Sequence, residues 1–162
     1  MKRPGISAGI LAIIVGVVVA VLSIAIAIGV YHVGYASVSA MGTVTGSANI
    51  VGTNTLSITL TASGGMAKVY ALNIYDASGN LLVQVRPGSV AGSGACSGAS
   101  FSIQVYNATS GSTPYTTWGS QVIQAGQSMT VNIQSSTTCL GSAAEVQVVY
   151  NNGRSITLTV GS

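Results

Sequence analysis

Charge is what this sequence has least of. Its 162 residues include five basic and two acidic side chains, so only 4% are charged. An ordinary soluble surface is roughly a quarter charged, so something else must hold this surface in water. The abundant serines and threonines, the backbone of 21 glycines, attached sugar and neighbouring copies of the chain are the available answers. The formal charge of +3 does not point to nucleic acid. Lys2 and Arg3 precede a long apolar run, and Lys68, Arg86 and Arg154 are scattered, whereas phosphate binding needs a clustered patch. There is one histidine, His32, and the only carboxylates are Asp76 and Glu145. Acid–base chemistry by paired carboxylates needs both in one cleft, and His32 belongs to the apolar run. The expectation is a protein that is not an enzyme and uses no cofactor. The two cysteines, Cys96 and Cys139, form no CxxC or Cys/His cluster, so no metal site is expected. In an exported chain, two lone cysteines read best as one disulfide.

The dominant feature is the run from Ile6 to Val30, which contains no charged residue. It exceeds the roughly 20 residues of a membrane-spanning helix. In lipid a helix satisfies its own backbone, which outweighs the weak helix propensity of the many β-branched residues. Lys2 and Arg3 in front of it orient the N-terminus to the cytoplasm, and Tyr31, His32 and Tyr35 fall where an interfacial girdle would lie. Gly9, Gly16 and Gly29 punctuate the run, and small residues let helices approach closely. A secretory signal cut after Ala40, following Val38-Ser39, is the competing reading, although a signal's apolar core is usually shorter.

The stretch Lys2-Arg3-Pro4-Gly5-Ile6-Ser7, leading straight into this run, resembles the class III signal of archaeal type IV pilins. The resemblance implies cleavage between Gly5 and Ile6 by a membrane-embedded prepilin peptidase. It implies a mature chain beginning Ile6-Ser7-Ala8-Gly9, whose fifth residue is Ile10 rather than the glutamate of bacterial pilins. It further implies a helix that waits in the cell membrane and is then bundled with identical subunits, by membrane assembly machinery, into a helical homopolymer. The product would be an extracellular adhesive filament on the cell surface. Archaeal flagellins share this signal, so a flagellar filament subunit is the nearest alternative. A single-pass membrane-anchored binding protein is the alternative of another class.

After the run the hydrophobic period changes. Residues 36–52 are small and polar and read as a linker or first strand. Leu56, Ile58 and Leu60 alternate with Ser57, Thr59 and Thr61, the mark of a half-buried strand. Strands are expected at 66–76 and 81–86, joined across Asp76-Ala77-Ser78-Gly79-Asn80. Others are expected around Phe101, Ile103 and Val105, at 121–123 and 129–133 as a hairpin, and at 145–150 and 154–160 across Asn151-Asn152-Gly153. Residues 87–100 and 107–119 read as loops. Seven or eight strands with frequent turns predict an immunoglobulin-like sandwich. The expected class is α+β: a leader 1–5 removed by cleavage, a hydrophobic membrane or filament-core helix 6–35, a segment 36–52, and a sandwich head 53–162. Asn107-Ala108-Thr109 is a glycosylation acceptor. Tyr106, Tyr115 and Trp118 are a candidate aromatic recognition patch, with core packing as the alternative.

Overall fold

A computed structural model describes residues 8–39, 42–107, 111–115, 118–119 and 121–162, with no side chain described at 8, 11, 27–39 and 111–115. The chain divides into two units, Met1–Val38 and Ser39–Ser162. The first holds one helix, α1, whose bounds are Ala8–Ser39. Of its serines, Ser23 returns its hydroxyl proton to the carbonyl of Val19 at 2.8 Å. That satisfies the polar group locally and leaves the surrounding surface hydrocarbon.

The second unit is all β. Its strands are β1 (Thr43–Val51), β2 (Thr55–Ser63), β3 (Ala67–Asp76), β4 (Leu81–Arg86), β5 (Ser89–Gly92), β6 (Phe101–Asn107), β7 (Gly111–Tyr115), β8 (Gln121–Ile123), β9 (Ser128–Ser135), β10 (Ala143–Tyr150) and β11 (Arg154–Gly161). Edge to edge they run β5-β4-β3-β10-β11-β1-β2-β9-β6-β7, with β8 added to β3. All pairings are antiparallel except one: β1 meets β11 in parallel, Ala48 opposite Val160 and Asn49 opposite Gly161.

That parallel seam overturns the expected immunoglobulin-like sandwich. A sandwich has two separate sheets facing each other. Here β1 is bonded along its whole length to β2 and at its far end to β11, so one mixed sheet rolls into a nearly closed barrel. The physical reason lies in segment 36–52, whose small residues show no clear alternation. Only Val44 and Ala48 of β1 are buried, yet its backbone supplies the link between the two halves. Gly46 allows the close approach: a Cβ there would meet the Thr59 carbonyl oxygen and lie 2.9 Å from Leu60 Cδ2.

Two further closures sit at opposite ends of the barrel. At the end where β1 begins, the chain crosses from β8 to β9 instead of forming a hairpin. Gly126 N–H donates to the Ala62 carbonyl at 2.8 Å and Ala62 N–H donates to the Gln127 carbonyl at 3.2 Å. β8 then pairs with β3, Ala67 opposite Ile123. Asn107 at the end of β6 donates its side-chain amide to the Val122 carbonyl of β8 at 2.9 Å, so a side chain spans the remaining gap. At the other end the Cys96–Cys139 disulfide joins two short 3-10 turns, Gly94–Cys96 and Thr138–Ser142.

The interior is aliphatic, from Leu56, Ile58 and Leu60 on β2 to Val146 and Val148 on β10. Trp118, 1% exposed, plugs it beneath β3 and donates its indole N–H to the Tyr70 carbonyl at 3.0 Å. Outside, hydroxyls pair across strands: Thr61 with Ser128 at 2.7 Å, Thr43 with Ser63 at 2.9 Å and Thr59 with Thr130 at 3.1 Å. An amide row, Gln84 to Asn73 to Gln147, crosses β4, β3 and β10. These rows answer how so few charges suffice: hydroxyls and amides cover the sheet.

Candidate functional site

The most unusual surface is that of α1. Its described large side chains, Ile10, Ile13, Ile14, Val15, Val17, Val18, Val19, Val21, Leu22, Ile24 and Ile26, are each between 51% and 68% exposed. Successive helical residues are rotated by about 100°, so the consecutive valines 17–19 alone cover more than half the circumference. Among its described side chains the helix therefore shows no polar face, and a helix apolar all round is stable only when covered. Among the described residues, nothing lies within 4 Å of a Cβ built at Gly9 or Gly16, so both are free to accept a close neighbour. Gly29 falls within the bounds of α1, in the part without described side chains.

The expected membrane span needs correction. Among the described residues no helix is long and apolar enough to cross a membrane. Tyr31, His32 and Tyr35, expected as an interfacial girdle, lie outside the described side chains, and the processing pair Gly5 and Ile6 lies outside the described residues.

In the barrel the two cysteines are joined, with Cα atoms 5.2 Å apart. Cys96 is fully buried. Gly92 makes room for its turn, since a Cβ there would meet the Cys96 carbonyl oxygen and come 3.0 Å from the Phe101 ring. Asn107, the sequon asparagine, is 6% exposed, and the nitrogen that a glycan would occupy is the one that donates to Val122. The sequon motif carries no sign of that engagement. Of the aromatic patch, Trp118 is core, Tyr106 is exposed and Tyr115 lies outside the described side chains.

The two carboxylates are brought to one end of neighbouring strands, Ala143 opposite Asp76 and Glu145 opposite Tyr75. Asp76 is committed to its turn. Its Oδ1 accepts from the N–H groups of Asn80 at 2.8 Å and Ser78 at 2.9 Å, and its Oδ2 accepts from the Asn80 amide at 3.0 Å. These bonds, the Asn80 side chain foremost, hold its pKa below the ordinary value. Glu145 is exposed beside a shallow depression of about 280 Å³ lined by Tyr75, Gly79, Gln147 and Thr157. At the other end of β3, Met66, Lys68, Tyr70, Val122, Asn151 and Asn152 line a groove of about 180 Å³. Asn151 builds its wall, accepting from Lys68 N–H at 2.8 Å and donating to the Gly42 carbonyl at 2.9 Å. Among the described residues no group of His, Cys, Asp and Glu side chains is placed to hold a metal ion. No protein-family model, curated protein or solved structure matches this chain.

Proposed function

We propose that this protein is a structural filament subunit that polymerises by burying α1 among the α1 helices of identical copies, leaving the β-barrel outside. The observation that carries this reading is the exposure of apolar side chains on every side of α1. Burial is worth roughly 25 cal/mol per Å² of apolar surface, so a helix of this composition gains far more from neighbours than any single barrel contact provides. Gly9 and Gly16 suit close helix approach. The disulfide fits an oxidising, extracellular setting. The leader Lys2-Arg3-Pro4-Gly5, with its resemblance to the archaeal type IV pilin signal, supports an archaeal pilus as the filament.

The test is assembly of the full-length chain and of Val18→Glu. The wild type should sediment as polymer and show filaments by electron microscopy. Val18→Glu should stay dispersed, because an unpaired carboxylate in a helix bundle costs several kcal/mol. Near-UV circular dichroism should show the same folded barrel in both. A wild-type chain that remains monomeric when mature, or a Val18→Glu chain that polymerises as readily, overturns the reading.

A further inference from the structure

The barrel has five formal charges, and the fold sorts them by sign. In sequence the two signs alternate: Lys68, Asp76, Arg86, Glu145, Arg154. Antiparallel pairing rearranges them. Lys68 lies at the start of β3, Arg86 at the end of β4 and Arg154 at the start of β11. The registers place all three toward one end. Leu72 lies opposite Val85, the residue before Arg86, and Tyr150 lies opposite both Val69 and Arg154. The same registers place Asp76 and Glu145 at the other end. At about 3.3 Å per residue, the eight steps from Lys68 to Asp76 separate the ends by about 25 Å.

Each end also has a shape. The basic end carries the groove with Met66 and Val122 exposed on its walls. Lys68 Nζ lies 5.2 Å from the Tyr70 ring and the Arg154 guanidinium 5.6 Å from the Tyr150 ring, so aromatic faces hold both cations in place. The acidic end projects the exposed turn 77–80, with Glu145 beside it. Asp76 is held ionised by its turn, so the end keeps its negative charge.

We propose that the acidic end of one barrel docks on the basic groove of the next copy, in a head-to-tail contact of β-barrels. The occupant is a second copy of this chain because the two ends of the same molecule carry opposite charge, with an exposed turn at one and a groove at the other. Such a contact uses two different surfaces, so it does not close on itself as a two-fold dimer does and can continue along a filament. The inference rests on the filament reading and adds a second, electrostatic contact that fixes the direction in which copies stack.

The test uses the full-length chain with Glu145→Lys, Arg154→Glu and the double variant Glu145→Lys/Arg154→Glu, all checked for wild-type folding by near-UV circular dichroism. Critical concentration for polymer is measured by sedimentation at low and high salt. Each single variant should raise it roughly fivefold or more at low salt, with the difference shrinking at high salt as the charges are screened. The double variant should recover most of the loss, because the opposed charges are exchanged rather than made alike. If wild-type filaments form and the singles assemble as well as the wild type at low salt, the docking inference is overturned while the filament reading stands. Equal loss in singles and double also overturns it. If no wild-type filament forms, the filament reading itself fails.

Discussion

Removing the Cys96–Cys139 cross-link is the sharpest perturbation of the barrel. The two residues are 43 apart in sequence and join turns that attach to different halves of the rolled sheet. Cys96 follows β5, beside β4 and β3, while Cys139 follows β9, which lies on the β2 side of the parallel seam. The bond therefore staples the barrel across the end that Asn107 does not reach. For a loop of this size, chain-entropy arithmetic gives about 13 cal/mol/K removed from the unfolded state, or about 4 kcal/mol at 25 °C. Unfolding entropy near 2.1 cal/mol/K per residue, over roughly 120 residues, is about 0.25 kcal/mol/K. The double substitution Cys96→Ala/Cys139→Ala should thus lower Tm by about 15 °C. The assay is a thermal melt of the full chain in mild detergent, followed by near-UV circular dichroism. Reduced wild type serves as a second route to the same state and should melt with the double variant. A shift under about 3 °C would refute the reasoning, since it would mean that the two halves are held together without the staple.

Asn107→Ala removes the part-buried hydrogen bond to the Val122 carbonyl that straps β6 to β8, so it should cost about 0.5–1.5 kcal/mol in a denaturant titration. Asn107→Asp should cost as much, because a carboxylate cannot donate. Gly46→Ala should cost about 1–3 kcal/mol through its clash with the Thr59 carbonyl, whereas Gly16→Ala, which meets nothing, should leave barrel stability unchanged; equal effects would discredit the seam geometry. Asp76 has a folded pKa below its ordinary value, so its contribution is present above pH 3.8 and fades as pH falls through the lower folded value. Asp76→Asn should therefore flatten the acid limb of the stability–pH curve while lowering stability at neutral pH, as read by melts from pH 2 to pH 7.

The sequence exposed periods, and periods identify strands without naming their partners. Leu56, Ile58 and Leu60 were legible because Ser57, Thr59 and Thr61 lie between them, and the structure places the first set inside. The hairpins across 76–80 and 151–153 were legible from turn chemistry, and Asn151 and Gly153 do take positive φ. Gln124 to Gln127 looked equally like a hairpin loop. There the glycine marks a crossing, and β8 leaves β9 for β3. β1 was obscure because glycine, serine and alanine contribute little to alternation, although their backbone groups form the seam. β5 and β7 were hidden in stretches rich in glycine, serine and threonine. The apolar surface of α1 was plain in composition. The sorting of charge was invisible until the register was known, since each of the five residues is remote in sequence from most of its companions.

Sparse charge and sorted charge belong to one argument. At 0.1 M salt the Debye length is about 10 Å, well short of the roughly 25 Å between the two ends. Within one barrel the opposite charges therefore neither stabilise nor cancel each other. On a surface a quarter charged, five more groups would be lost among neighbours of both signs. Here the intervening rows are hydroxyls and amides, such as Thr59 with Thr130 and Asn73 with Gln147. Each end keeps an undiluted sign that a second copy meets only on contact. In the docking proposed above, the apolar helix supplies the driving force and has no preferred direction around its axis. The five charges supply the direction. An exposed ion pair contributes at most about 1 kcal/mol, so they need not carry affinity. It is enough that the reversed arrangement sets like charges against each other.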